Sequence, residues 1–159
     1  MTTRRVAERA GVSPGLVHYH VGSIEGLRRA AACEGARSLL EGPFREALEA
    51  PNLREGLLAF LLRLDLKPDY PGVVLLNEAL VAATHDAELR SDLATMFSTF
   101  RARLAERLAA QKGAHAEEAE ARALVLVAAV DGFLLQRALD PNLGAEQLIR
   151  GIEPFLEPQ

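Results

Sequence analysis

The sequence predicts an all-α fold: two short helices at the N-terminus, then a larger helical bundle. Three observations predict it. Of 159 residues, 27 are Ala and 27 are Leu, two of the strongest helix formers. Val and Ile together number 13 and Trp is absent, so strand formers are scarce. Apolar residues recur at spacings of three and four between Gly, Pro and Asp stops. With 49% hydrophobic and 25% charged residues, the chain has enough apolar surface for a core and is not disordered. Its length fits one folded unit, or one with a small appendage, at about 100–200 residues per domain.

The first helix spans residues 3–10. Val6, Ala7 and Ala10 share one face, and Arg4, Arg5, Glu8 and Arg9 the other. Thr2 or Thr3 caps its start, and Gly11 ends it as a left-handed C-terminal residue. After a tight turn at Val12, Ser13 caps a second helix with Pro14 at its first position. Gly22 stops that helix, and Ser23 caps a third that begins with Ile24 and Leu27. Gly42-Pro43 is expected to break or kink the third helix. Residues 53–64 place Leu53, Leu57, Phe60, Leu61 and Leu64 on one face. Residues 67–72, with Pro68 and Pro71, read as a loop. A helix over 73–85 ends near His85-Asp86. Residues 88–112 carry an apolar stripe from Leu89 through Leu93, Phe97, Phe100 and Leu104 to Leu108, stopped by Lys112-Gly113. A long helix over 116–139 is stopped by Asp140-Pro141, and a short one from about 145 to 156 closes the chain.

Several function classes are excluded or disfavoured. Cys33 is the single cysteine, so an internal disulfide and a Cys-based zinc site are out. The longest apolar run, 123–130, falls short of the roughly 18 residues of a membrane span. Arg4, Arg5, Glu8 and Arg9 stand where a signal peptide needs apolar residues, so a cytoplasmic location is expected and no membrane partner. Nucleophile-elbow, phosphate-loop, dinucleotide and zinc-protease spacings are missing, so the reading is not an enzyme, with no cofactor and no metal. Net charge is −4, but it is unevenly spread. Residues 1–30 hold Arg4, Arg5, Arg9, Arg28 and Arg29 against Glu8 and Glu25, a net of +3, which leaves −7 for the rest. A basic head on an acidic body is expected when one end meets phosphate.

The head has the grammar of a helix-turn-helix, a supporting helix and a Gly-containing turn followed by a helix for the DNA major groove. On a helical wheel Val17 and Val21 point inward. Gly15, Leu16, Tyr19 and His20 spread over the opposite side. Gly15 permits close backbone approach, and Leu16 suits a thymine methyl. Tyr19 and His20 suit phosphate oxygens, with Thr3, Arg4 and the capped helix N-termini as further anchors. The full set of DNA-contact candidates is Thr2, Thr3, Arg4, Ser13, Pro14, Gly15, Leu16, His18, Tyr19, His20 and Ser23. His18 and His20 point about 200° apart on a helix, so they do not share a metal. In the helix over 116–139, Leu124 to Val130 is apolar on every face, and Phe133, Leu134 and Leu135 continue this. Such a helix is buried all round, one side against its own core and the other against a second copy, unless it is the central helix of a monomeric bundle.

The run Thr3-Arg4-Arg5-Val6-Ala7-Glu8-Arg9-Ala10-Gly11-Val12-Ser13-Pro14-Gly15-Leu16-Val17-His18-Tyr19-His20-Val21-Gly22-Ser23 resembles the DNA-binding signature of tetracycline-repressor-type (TetR family) transcriptional regulators. The run from Ala128 to Pro141 is similar to the C-terminal dimerisation helix of many members. The resemblance implies a DNA-binding head over residues 1–40 and an effector-binding and dimerisation domain over 41–159. It implies a homodimer on a pseudo-palindromic operator in double-stranded DNA, ligand-responsive and most often a repressor. It places an effector pocket among the middle helices, with Phe60, Asn77, Leu80, Phe97, Phe100 and Arg101 as candidates for a small-molecule effector. The subunit interface would hold Leu124, Val127, Ala128, Asp131, Leu134 and Leu135. Two departures stand out. The family opens with a helix before the stretch that starts here at Thr2, and one phosphate-anchoring Lys position is Ile24. The alternative expectation is therefore a dimer that binds ligand or a partner without reading DNA.

Elsewhere plainer readings hold. His85-Asp86 reads as a C-terminal helix cap. Glu117, Glu118 and Glu120 complement a helix N-terminus. Asp131, among apolar neighbours, needs a partner; whether it faces the dimer seam or a ligand stays open.

Overall fold

The structure is a computed structural model and describes residues 2–65, 71–111 and 115–156. Among the described residues every regular element is helical. The head comprises α1 (Thr3–Ala10) and α2 (Pro14–Val21). A long path follows through α3 (Ile24–Leu39), a π-helical turn (Leu40–Phe44) and α4 (Arg45–Glu49). The body adds α5 (Leu53–Asp65), α6 (Pro71–Ala82), α7 (Ala87–Ala109), α8 (Ala116–Leu139) and α9 (Ala145–Ile152), closed by a 3₁₀ turn (Glu153–Phe155).

The head forms as its caps dictate. Thr2 Oγ1 accepts from the Arg5 amide at 3.4 Å, and Ser13 Oγ from the Leu16 amide at 3.2 Å. Ser23 Oγ does the same for Gly26 at 3.0 Å. Gly11 has φ 69°, so it takes the left-handed turn that a side chain disfavours. The inward face is thinner than its spacing predicts. Ala7 is fully buried, Val6, Val17, Val21 and Leu27 are half-buried, and Ala10 is exposed.

Three expectations are corrected in the middle of the chain. Of the break or kink expected at Gly42-Pro43, the break is the part overturned, since regular α3 stops at Leu39 but the path stays helical. The wider π turn over Leu40–Phe44 absorbs Pro43, and the helical path crosses residue 40 without interruption. Pro71 does not belong to a loop but opens α6, where its missing N–H costs nothing; residues 67–70 of that expected loop lie outside the described residues. Asp86 does not end the preceding helix. Regular α6 stops at Ala82, and Asp86 caps the start of α7, accepting from the Glu88 and Leu89 amides at 3.1 and 3.0 Å. The stop at Lys112-Gly113 falls outside the described residues.

The core sits where α5, α7, α8 and α9 converge. Leu57, Leu61, Leu104, Leu108, Leu126 and Ile149 are its largest fully buried side chains, each worth roughly 1.5–3 kcal/mol of burial. The α7 stripe from Leu89 to Leu108 is buried along its length, as its spacing predicts. Two arginines staple the ends. Arg107 donates to the carbonyls of Leu48, Ala50 and Pro51 at 3.0–3.3 Å, closing α4 onto α7. Arg122, buried at 6% exposure, donates to the Phe155 carbonyl at 2.9 Å and lies 3.7 Å from Glu118.

Candidate functional site

The α1–α2 corner presents one polar and aromatic face. Thr2, Arg4, Ser13, Pro14, Gly15, Leu16, His18, Tyr19, His20 and Ser23 are all exposed, and Thr3 is half-buried. Tyr19 is 83% exposed and meets the His20 ring edge-on at 5.2 Å between centroids. An aromatic this bare is held for an external contact or for none, since the chain gains nothing by displaying it. Arg4 is turned along its own helix, 3.1 Å from Glu8, a pair weak enough to exchange for phosphate.

The head is joined to the body by a cation that sequence reasoning missed. Arg29 of α3 donates to Asp86 Oδ2 at 3.1–3.2 Å and also pairs with Glu88. The Leu89 amide and then the Arg29 guanidinium hold the Asp86 carboxyl below the usual carboxylate range, against burial. One carboxylate thus caps α7 and anchors the head's third helix. Local spacing carries no signal of this pair, because its members stand 57 residues apart.

In the body, a small void lies among the π turn, α5, α6, α7 and α8. Its walls are Phe44, Phe60, Leu76, Phe100, Val130 and Leu134, with Asp131 its one charged group among the described residues. The void is about 20 Å³, the space of a single water. Phe44 and Phe100 close one side with ring centroids 3.9 Å apart. Beside it runs an outer groove of about 160 Å³ lined by Val73, Leu76, Asn77, Leu80, Asp131 and Leu135. Of the pocket candidates, Phe60 and Phe100 line the void, and Asn77 and Leu80 line the groove. Arg101 instead faces a separate groove between α7 and α8, and Phe97 is buried in the core and lines neither cavity. Phe44 was missed because Gly42-Pro43 beside it reads as a break.

Asp131 lies at the meeting of void and groove. Burial pushes its carboxyl up to about 6, against the pull of Arg101. It accepts no hydrogen bond among the described residues.

The long helix α8 divides into two faces. Val127 and Leu134, expected in a subunit interface, are turned into the protomer's own core at 6% and 7% exposure. Leu124 and Leu135 stand out at 56% and 54%, with Ala128 exposed between them. The helical period decides this: residues 127, 130 and 134 share the inner side, and 124, 128 and 135 the outer.

Fold and site together define an all-helical protein with a short two-helix corner at its start and a cavity-bearing body. Residues 48–157 match the family model described as tetracyclin repressor-like, C-terminal domain. The chain belongs to that family, the TetR-type transcriptional regulators. Solved structures share the fold. One, assigned as a transcriptional regulator of Streptomyces coelicolor A3(2), is 22% identical with TM-score 0.76, over 98% of this chain and 86% of that one. A transcriptional regulator from Rhodococcus sp. Rha1 is 24% identical with TM-score 0.71, over 98% and 82%. One assigned as a TetR-family regulator from Rhodococcus sp. is 21% identical with TM-score 0.68, over 98% and 86%. No curated protein matches the sequence. No described helix is long and apolar enough to cross a membrane.

Proposed function

We propose that the protein is a ligand-responsive transcriptional repressor that binds a pseudo-palindromic operator as a homodimer. The observation that carries this is the head's bare face. Leu16, Tyr19 and His20 stand exposed on α2, whose N-terminus is capped and offers its amides to phosphate. A second copy docked on Leu124, Ala128 and Leu135 of α8 would set two such helices about one DNA turn apart, roughly 34–36 Å.

Effector response follows from the continuous path α3–π turn–α4. Its near end meets α2 and its π turn supplies Phe44 to the void wall. An effector larger than one water fits the void only if its walls move, Phe44 and Phe100 among them. Displacing Phe44 shifts the same helical path that carries the head. A ligand that binds the opened body better than the closed one thereby moves the two heads off their spacing and releases DNA.

The test is selection of the purified chain on a randomised duplex pool at about 50 mM and about 200 mM salt. Enrichment of a two-fold-symmetric sequence, with affinity falling steeply at higher salt, supports the proposal. Weak binding without a selected sequence favours a second reading, a ligand- or partner-binding dimer that does not read DNA. The observation on that side is the head's thin packing, with Ala7 its one fully buried residue among α1 and α2.

A further inference from the structure

The chemistry of the two cavities narrows the class of effector, within the ligand-responsive reading above. Void and groove share Leu76, Asp131 and Leu134, so they form one apolar path bent around a carboxylate. Asn77 is the other polar side chain on that path, and no described Lys, Arg or His lines it. Arg101, the cation acting on Asp131, belongs to a different groove across α7 and α8. The half-buried carboxylate has therefore lost part of its water without gaining a hydrogen bond among the described residues. A group in that position recovers most from a ligand that brings both positive charge and N–H donors.

We propose that this path binds a lipophilic amine. The ammonium sits against the Asp131 carboxylate, with the Asn77 side chain beside it, and the hydrocarbon lies along Val73, Leu76 and Leu80. The outer groove admits a short alkyl chain as it stands. A longer chain extends past Leu134 into the inner void and displaces Phe100 or Phe44. An alkyl carboxylate meets repulsion at Asp131. An alcohol of the same length gains one neutral hydrogen bond and no charge pairing.

The experiment is calorimetric titration of the full chain with n-octylamine, octan-1-ol and octanoate at about pH 7.5, where most amine is protonated. The expected result is amine binding roughly tenfold or more tighter than alcohol, with octanoate not binding. Asp131→Asn brings the amine to the level of the alcohol and leaves the alcohol unchanged. Leu80→Trp, which fills the groove from its rim, weakens both. Equal binding of all three probes, stronger binding of octanoate, or no binding of octylamine overturns the proposal. So does an amine preference that survives Asp131→Asn, or amine and alcohol affinities untouched by Leu80→Trp. The titration contains no DNA and the duplex selection contains no amine, so the amine assignment and the regulator reading fail separately.

Discussion

At Asp131 burial opposes ionisation, and the sign of that conflict is measurable. Its carboxyl titrates near 6 in the folded chain against an ordinary 3.8. Folding therefore favours the protonated form, so the Asp131 contribution to stability falls as pH rises from about 4 to about 6. Two units correspond to about 3 kcal/mol, and partial solvent access reduces this. Asp131→Asn is expected to stabilise the protein by roughly 1–2 kcal/mol at about pH 7.5, with the gain vanishing near pH 4. Urea unfolding of both proteins at the two pH values checks it; a destabilised variant at neutral pH counts against a strained carboxylate. Arg29 behaves oppositely. It stabilises an ionised Asp86, so its contribution is present above the ordinary carboxylate range and is lost as pH falls below it. Arg29→Ala is expected to speed amide hydrogen exchange in α1–α3 while α8 and α9 stay protected. Uniform loss of protection would mean that the pair supports the body as well.

Elements meet where small residues allow it. A Cβ placed on Gly35 of α3 would lie 2.6 Å from the Leu75 Cβ of α6, so the two helices approach as closely as they do because position 35 lacks a side chain. Gly35→Ala gains about 1 kcal/mol of helix propensity yet is expected to lose about 1–3 kcal/mol net through overpacking. Adding Leu75→Gly, which removes the opposing Cβ, should return part of that loss, a coupling that a double-mutant cycle of thermal unfolding measures. Additive losses would place the strain elsewhere. The element boundaries were legible in the sequence wherever capping set them. Thr2, Gly11, Ser13 and Ser23 bond only to neighbours within five residues, so their effect is local. Gly42-Pro43 and Asp86 misled for one reason. Each has two local solutions, a break or a π turn, and an end cap or a start cap, and packing chose between them.

For the whole molecule, the helical class could be read from composition and spacing, and the site only in part. The head's contact candidates stand exposed because a short capped corner leaves its residues little choice. The α8 assignment went half astray. Its apolar middle does not say which residues face the protomer's core until α7 is docked against it. The resulting exposed stripe carries its own prediction. Leu124→Glu with Leu135→Glu should yield a monomer in sedimentation with an unchanged helical spectrum, since both side chains leave the protomer core alone. A dimer that persists would move the subunit contact off α8.

What the sequence by itself determined is whatever neighbouring residues decide among themselves: helix content, the caps and turn of the head, the burial stripe of α7, and the charge split between head and body. Only the tertiary structure decided the Arg29–Asp86 joint, the Phe44–Phe100 closure and the placement of Asp131 between two cavities. Each brings together side chains from helices far apart in the chain. Propensity and periodicity act over one or two turns, whereas such meetings depend on how whole helices cross.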